Sequence, residues 1–204
     1  MLNTYKNWIF DWSGTLVDDT DKVVDATNHV MSHHNKPLFD RESFKRSFRL
    51  PYTEWYAEIL TEGSLPEVEA LFREGFKASS AEIPVLPHAR EFLTLLKEKQ
   101  HRIFACTSVD TGSFTEHAED NGLLPFFEKP YSGVLDKREL IAEILESNGL
   151  KKSETIFIGD MIHDIDTAHH GGIDSLAVLT GYNTKAELES AKPTYLLEDY
   201  SSLL

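Results

Sequence analysis

Short apolar runs that end in small or acidic polar residues recur along the chain. They cover residues 8–10, 102–106, 155–158, 175–179 and 195–197. Polar and apolar residues do not alternate within the stronger runs, which is typical of parallel strands that are covered on both faces. The pattern therefore predicts five strands of a buried parallel sheet.

Amphipathic stretches separate these runs, and several of them end at a glycine. They predict helices over residues 88–99, 113–121, 137–148 and 164–170, because glycine commonly follows the last turn of a helix. Strands that alternate with helices favour an α/β fold, here a doubly wound, Rossmann-like parallel sheet core. In such sheets, ligands bind beyond the carboxyl ends of the strands.

The segment of residues 18–84 interrupts this alternation. It contains no convincing strand, and its pattern predicts several amphipathic helices separated by breaks at proline and glycine. Pro84 and Pro87 mark the return to the sheet, because proline favours extended structure in the residue before it. We therefore predict an α/β core of residues 1–17 and 85–204 with an inserted helical cap of residues 18–84.

The composition narrows the classes of partner. The chain has 204 residues and a formal net charge of −14 at pH 7, which argues against a nucleic-acid backbone as its general partner. No apolar run is long enough to span a bilayer, and the apolar segment near the N-terminus is too short for a signal peptide. We expect a cytoplasmic protein without a membrane partner, and the oligomeric state stays open. The one cysteine, Cys106, lies in an apolar run and is expected to be a buried hydrophobic residue without a chemical role.

Acidic and hydroxyl side chains directly follow three of the predicted strands, and a lysine opens the helix before the strand of residues 155–158. The carboxyl ends of parallel strands meet at one edge of a sheet, so we expect these side chains to converge there. The set combines carboxylates, hydroxyls and one cation. Its members are Asp11, Thr107, Ser108, Lys137, Asp160 and Asp164.

These residues resemble the four motifs of the haloacid dehalogenase superfamily, and they occur in the family's order. The first is Asp11-Trp12-Ser13-Gly14-Thr15, which is similar to the family's Asp-x-Asp-Gly-Thr loop. Thr107 resembles the second motif and Lys137 the third, while Gly159-Asp160-Met161-Ile162-His163-Asp164 matches the fourth, Gly-Asp-x-x-x-Asp. The helical insert lies where the family places a small helical (C1-type) cap, so the chain resembles its phosphoglycolate phosphatase and phosphonatase branches.

The resemblance implies a phosphatase-like hydrolase that acts on a small phosphorylated metabolite. Asp11 would be the nucleophile and would carry an aspartyl-phosphate intermediate. Thr107 and Ser108 would bind the phosphoryl group, and Lys137 would offset the charge around the nucleophile. In the cap, Arg49 would bind an anionic group of the substrate.

The resemblance also implies a Mg²⁺ cofactor, since this ion is held by oxygen ligands. Its protein ligands would be the carboxylates of Asp11 and Asp160 and the main-chain carbonyl of Ser13. Asp164 would support them.

Position 13 departs from the family's pattern. The family's phosphatases carry a second Asp here, which protonates the leaving group and later activates water, whereas this chain has Ser13. Proton transfer by a positioned group is commonly worth about 10²- to 10⁴-fold in rate. We therefore expect slow turnover of ordinary phosphomonoesters and a preference for acidic leaving groups, with His163 as a hypothetical replacement proton shuttle.

Two alternatives stay open. Phosphonoacetaldehyde hydrolases carry Ala at the position of Ser13 and use a cap lysine as a Schiff base, for which Lys45 is the nearest candidate here. A catalytically weakened protein that binds phosphate and metal is the other alternative. Lys129, which precedes a proline, competes with Lys137 for the role of the active-site lysine.

Overall fold

A computed structural model describes residues 2–60 and 62–204, and its centre is one parallel sheet. Six strands pair in the order β3-β2-β1-β4-β5-β6. Their bounds are β1 (Asn7–Phe10), β2 (Arg102–Cys106), β3 (Lys129–Tyr131), β4 (Thr155–Gly159), β5 (Asp174–Val178) and β6 (Tyr195–Leu197). The predicted doubly wound parallel sheet is confirmed, and the five predicted strands agree with observed ones to within a residue at each end.

The strand β3 was not predicted from the sequence. It lies at the edge of the sheet, pairs with β2 alone among the strands, and has largely exposed side chains. Pro130 lies at its centre, which an edge strand tolerates because one side of its backbone faces no partner. A strand of this kind produces no apolar run, so hydrophobic patterning gave no sign of it.

Helices flank the sheet, and four of them lie in the segment between residues 20 and 78, after β1. The described α-helices are α1 (Thr20–His33), α2 (Arg41–Ser47), α3 (Tyr52–Ile59), α4 (Leu65–Ala78), α5 (Ala89–Glu98), α6 (Thr111–Asp120), α7 (Lys137–Ser147), α8 (Ile162–Gly171) and α9 (Lys185–Ser190). Short 3-10 helices cover Leu124–Phe126, Lys152–Glu154 and Tyr200–Leu203. We call α1 to α4 the helical segment. In the part of the chain that the structure describes, no helix is both long and apolar enough to cross a membrane.

Apolar side chains cover both faces of the sheet, and the central strand β1 contributes to each face. Trp8 and Phe10 pack with Phe92 of α5 on one face, whereas Ile9 packs with Phe104 on the other. This arrangement explains why polar and apolar residues do not alternate along β1. Its neighbours are β2 and β4, so the residues that follow these three strands lie side by side at one edge.

The helical segment has an apolar cluster of its own. Phe44, Phe48 and Trp55 pack together. Met161, which follows β4, and Tyr182, which follows β5, join them. The Phe48 and Tyr182 ring centroids lie 5.5 Å apart. Because Met161 follows the end of β4, this contact places the helical segment beside the carboxyl ends of the strands.

Candidate active site

A tight turn follows β1 and brings the side chains of Asp11 and Ser13 to the end of the sheet. The Gly14 amide donates to the carbonyl of Val17 over 2.8 Å, and the Leu16 amide donates to that of Trp12 over 2.8 Å. Gly14 has a φ of +73°, and a Cβ there would lie 2.5 Å from Asp160 Oδ2. Glycine is therefore required both by the backbone conformation and by the close approach of a carboxylate.

Lys137 joins two of the predicted carboxylates. Its Nζ lies 2.7 Å from Asp11 Oδ1 and 2.7 Å from Asp164 Oδ1, and all three side chains are buried. Lys137 is the first residue of α7, whose N-cap residue Asp136 accepts a hydrogen bond from the Arg138 amide over 2.9 Å. The turn that opens this helix thus aims an ammonium group at the end of β1.

Lys129 does not reach this group of side chains. It lies in the exposed strand β3, where its Nζ is 4.5 Å from the centroid of the Tyr131 ring. Of the two lysines, the structure brings Lys137 to Asp11.

Asp160 is fixed by hydrogen bonds to both of its carboxylate oxygens. Thr15 Oγ1 donates to Oδ1 over 2.8 Å, and the Tyr182 amide donates to Oδ2 over 2.7 Å. A Cβ on Gly181 would lie 1.9 Å from Oδ2, so only glycine fits at that position. The loops after β1 and β5 therefore close around this carboxylate.

Asp11, Asp160 and Asp164 form a buried group. One carboxylate oxygen from each residue lies within 4.8 Å of the other two. Burial raises the pKa of Asp11 to about 7, which Lys137 opposes and Asp164 reinforces. Burial and the two other carboxylates also raise the pKa of Asp160 well above its usual value. Burial lowers the pKa of Lys137, but Asp11 and Asp164 outweigh it, and the net shift is upward.

When all three carboxylates are ionised, the single positive charge of Lys137 balances only one of their three negative charges. Like charges at this distance repel strongly when water is excluded. An all-oxygen donor set with this excess charge fits a divalent cation. Asp11, Asp160 and Asp164 are thus the residues that fit a metal site.

A cavity of about 880 Å³ opens in front of these carboxylates. Asp11 after β1 and Thr107 and Ser108 after β2 contribute to its lining. The helical segment contributes aromatic side chains such as Tyr56 and Phe72. Ser108 Oγ is buried and has no hydrogen-bond partner in the described part of the chain. A buried hydroxyl without a partner is costly, so it is suited to bind a polar ligand in the cavity.

Residues 8–178 match the family model described as haloacid dehalogenase-like hydrolase. The chain belongs to this family. The match spans the loop of residues 11–15, Lys137 and both aspartates of the fourth motif, so the family resemblance is confirmed.

Relatives of this haloacid dehalogenase-like hydrolase include proteins named as phosphatases. The probable phosphatase IndB of Dickeya dadantii is 25% identical and aligns over 96% of this chain and 90% of its own length. A phosphoglycolate phosphatase of Synechococcus elongatus is 24% identical over 96% of this chain and 94% of its own. The crystal structure of a predicted phosphatase from Clostridium acetobutylicum superposes with a TM-score of 0.89 at 22% identity, covering 98% of this chain and 96% of that one. This last likeness confirms the fold.

Asp19 is a member of the site that sequence reasoning missed. Ser13 Oγ lies 2.5 Å from Asp19 Oδ2, and both residues line the cavity. Burial raises the pKa of Asp19 to about 6, against the opposing effect of the Ser13 hydrogen bond. The signal for it in the sequence is the pair of acids Asp18 and Asp19, which closely follow the motif of residues 11–15. The sequence pattern assigns this pair only to the start of the helical insert.

Arg49 is not brought to the site. Its guanidinium forms an ion pair with Glu58, its side chain is 48% exposed, and it is absent from the cavity lining found in the described residues. The prediction that Arg49 binds substrate is therefore not supported by its position, because a carboxylate of its own helical segment holds it at the surface.

His163 is also poorly placed for the predicted proton transfer. It is buried behind Lys137, where its Nε2 lies 3.3 Å from the Lys137 amide and accepts its hydrogen bond. Burial and the charge of Lys137 lower the pKa of His163 to about 4. A neutral imidazole that already accepts a backbone hydrogen bond supports the start of α7, and His163 is not among the described residues that line the cavity.

Proposed function

We propose that the protein is a Mg²⁺-dependent phosphatase that hydrolyses a small phosphorylated metabolite through an aspartyl-phosphate on Asp11. The observation that carries the proposal is the buried contact of 2.7 Å between Asp11 Oδ1 and Lys137 Nζ, next to Asp160 and Asp164. This combination gives a nucleophilic carboxylate, a fixed cation and a place for a metal at one point of a cavity. The names of the relatives support phosphate ester chemistry.

In this proposal Asp11 attacks phosphorus with the carboxylate oxygen that is not bound to Lys137. The bond between phosphorus and the leaving-group oxygen breaks, and the leaving group departs with the electron pair. Lys137 stays protonated throughout, because two carboxylates raise its pKa. Its fixed positive charge stabilises the negative charge that spreads over the phosphoryl oxygens in the transition state.

The metal would be held by Asp11, Asp160 and the main-chain carbonyl of Ser13, with Asp164 in support. Bound Mg²⁺ supplies charge neutralisation and orientation of the phosphoryl group. The hydrogen bonds from Thr15 and from the Tyr182 amide keep Asp160 oriented without using all of its lone pairs. Replacement of Ser13 by another residue leaves the carbonyl ligand in place.

Thr107 and Ser108 would bind the phosphoryl oxygens. Thr107 directly follows β2, and its hydroxyl accepts a hydrogen bond from the Val109 amide over 3.2 Å, which leaves its proton available for the cavity. Ser108 Oγ has no partner in the described structure and can donate a second hydrogen bond. Donors aimed at phosphoryl oxygens in a buried site are a main source of rate acceleration.

We further propose that residues 18–84 act as a cap over a core formed by residues 1–17 and 85–204. The helical segment packs on Met161 and Tyr182 at the carboxyl edge of the sheet. It also contributes much of the cavity wall. A cap in this position excludes bulk water from the site during phosphoryl transfer and selects the organic part of the substrate.

Phosphate release by the purified protein tests the proposal. With Mg²⁺, we expect release from p-nitrophenyl phosphate and from acetyl phosphate, and loss of nearly all of it in Asp11→Asn, which keeps the shape of the side chain. Release by wild type that does not exceed release by Asp11→Asn on either substrate would overturn the proposal.

Cleavage of a carbon–phosphorus bond through a cap lysine is a second candidate, because Lys22 lines the cavity. Its Nζ, however, donates to the carbonyls of Ser79 and Ala81 over 2.9 and 3.4 Å. These bonds tie the amine to the backbone of the helical segment and favour the phosphatase. A borohydride-trapped adduct of phosphonoacetaldehyde on Lys22 would reverse this order of preference.

A further inference from the structure

The start of α1 contains a helix cap that is not used as a cap. Asp19 is the N-cap residue, and aspartate at this position ordinarily accepts a hydrogen bond from a backbone amide in the first turn. Here the Asp19 side chain makes no such bond. Its Oδ2 lies 2.5 Å from Ser13 Oγ instead, although only 2% of the residue is exposed. The helix loses a cap in favour of a contact with the nucleophile loop.

The neighbours of Asp19 show in which direction this hydrogen bond runs. Ser13 Oγ and Tyr182 Oη approach its two oxygens to 2.5 and 3.5 Å, and both are hydroxyl donors. A carboxylate that faces donors on both oxygens accepts from each of them. Ser13 has a single hydroxyl proton, so it directs that proton to Asp19 and turns its lone pairs toward the cavity.

From this geometry we infer that Asp19 is a positioning residue that makes Ser13 a hydrogen-bond acceptor beside Asp11, and that this acceptor orients the water that hydrolyses the aspartyl-phosphate. The inference rests on the proposed phosphatase function. It assigns a role to the serine that replaces the family's second aspartate. Asp19 itself acts only through Ser13.

The water step balances without a proton being taken up by either residue. Water donates one hydrogen bond to Ser13 Oγ, and its oxygen attacks phosphorus. The bond between phosphorus and the Asp11 oxygen breaks, and its electron pair returns to the Asp11 carboxylate. Both protons of the water leave with the product as dihydrogen phosphate. Orientation of the reacting water is the contribution of the pair, and such positioning lowers the barrier by removing unproductive arrangements.

The same polarity has the opposite effect on the first half-reaction. A serine that gives its proton to Asp19 cannot donate to the leaving-group oxygen. Phosphorylation of Asp11 therefore depends on a leaving group that needs no proton, as in acyl phosphates, aryl phosphates of acidic phenols, or phosphoanhydrides. The Ser13–Asp19 pair thus serves the second half-reaction and selects substrates in the first.

Quench-flow with ³²P-labelled 2,4-dinitrophenyl phosphate and Mg²⁺ measures the two half-reactions separately, because acid-stable phosphoenzyme is counted directly. We expect Asp19→Ala and Ser13→Ala to form phosphoenzyme at rates within about threefold of wild type and to lose it about tenfold more slowly. The double variant should be no slower than either single variant, because both changes remove the same hydrogen bond. Asp21→Asn is the matched control on α1, since Asp21 is exposed and pairs with Arg41 over 2.7 Å.

A second readout does not depend on activity. In the ¹H NMR spectrum of wild type without substrate, the Ser13 hydroxyl proton should give a downfield resonance, which Ser13→Ala and Asp19→Ala lose and Asp21→Asn keeps. Absence of this resonance from wild type overturns the inference. An equal loss of both half-reaction rates in Asp19→Ala, or multiplicative effects in the double variant, also overturns it. Failure of wild type to release phosphate above Asp11→Asn is different, since it refutes the proposed function itself.

Discussion

Two groups of polar side chains meet at the end of β1, and they are held in different ways. The Lys137 cluster comprises Asp11, Lys137, Asp160 and Asp164, and ion pairs join Lys137 to two of its three carboxylates. In the described part of the chain, the Ser13–Asp19 pair forms no ion pair and is held by hydrogen bonds from hydroxyl groups. The Lys137 cluster thus depends on a fixed positive charge. In the Ser13–Asp19 pair, a change of one residue can reverse whether residue 13 donates or accepts a hydrogen bond.

The largest effect is expected from removal of the cation. Lys137→Met leaves the buried carboxylates of Asp11 and Asp164 without their ammonium partner, and breaking a buried ion pair from one side commonly costs about 3–5 kcal/mol. We expect this loss in the free energy of unfolding, measured by urea denaturation without added metal. Lys129→Met, on the exposed edge strand, should change it by no more than about 0.5 kcal/mol. A similar small change in Lys137→Met would remove the distinction between the two groups.

The next effect concerns the identity of residue 13. Ser13→Asp restores the family's acid, but it places the new carboxylate against Asp19. The combination of Ser13→Asp with Asp19→Ser removes this repulsion and should raise kcat/KM for an alkyl phosphate such as β-glycerophosphate by about 100-fold over wild type. Ser13→Asp alone should gain much less. Equal gains in the single and the double variant would show that Asp19 exerts no influence on position 13.

Mg²⁺ should stabilise the Lys137 cluster selectively. At a concentration ten times its Kd, a ligand that binds only the folded state adds about 1.4 kcal/mol to the free energy of unfolding. Urea titrations with and without Mg²⁺ should show this gain in wild type and in Ser13→Ala, which keeps the backbone carbonyl, but not in Asp160→Asn. A gain that survives in Asp160→Asn would place the metal elsewhere.

The smallest effect concerns the pH dependence that Asp19 contributes. Burial raises its pKa from 3.8 to about 6 in the folded protein. The folded state therefore holds this proton more tightly than the unfolded state, and stability is lost as the pH rises from about 4 through 6. In metal-free urea titrations, the free energy of unfolding of Asp19→Asn should rise relative to that of wild type between pH 4 and pH 8. A difference that is constant over this range would contradict the assignment.

The sheet and the Lys137 cluster could be predicted from the sequence because local patterns determine both. Asp11 and Asp160 directly follow apolar runs, and Lys137 opens an amphipathic helix, so the fold alone brings them to one edge. Strand β3 escaped prediction because an exposed edge strand with a central proline has no apolar run. The pattern of apolar residues was thus sufficient to predict the strands that are buried in the fold.

The Ser13–Asp19 pair could not be predicted in this way. An aspartate before a helical stretch is normally interpreted as an N-cap, and its contact with Ser13 depends on a side-chain direction that sequence patterns do not encode. Arg49 is a second residue whose position depends on a side-chain contact. A cation in the expected cap was assigned to substrate, whereas the surface carboxylate of Glu58 pairs with it in the folded chain.

Since Asp19 is the N-cap residue of α1, we expect the first turn of that helix and the Ser13–Asp19 pair to open together. Fraying of the turn separates Ser13 from its acceptor, so the stability of a few backbone hydrogen bonds limits how long the site stays assembled. One of these is the bond from the Val23 amide to the Asp19 carbonyl, of 2.9 Å. Amide hydrogen exchange at Val23 therefore reports the local opening free energy of the site. A phosphate analogue that tightens the site should slow this exchange without changing it at the far end of α1.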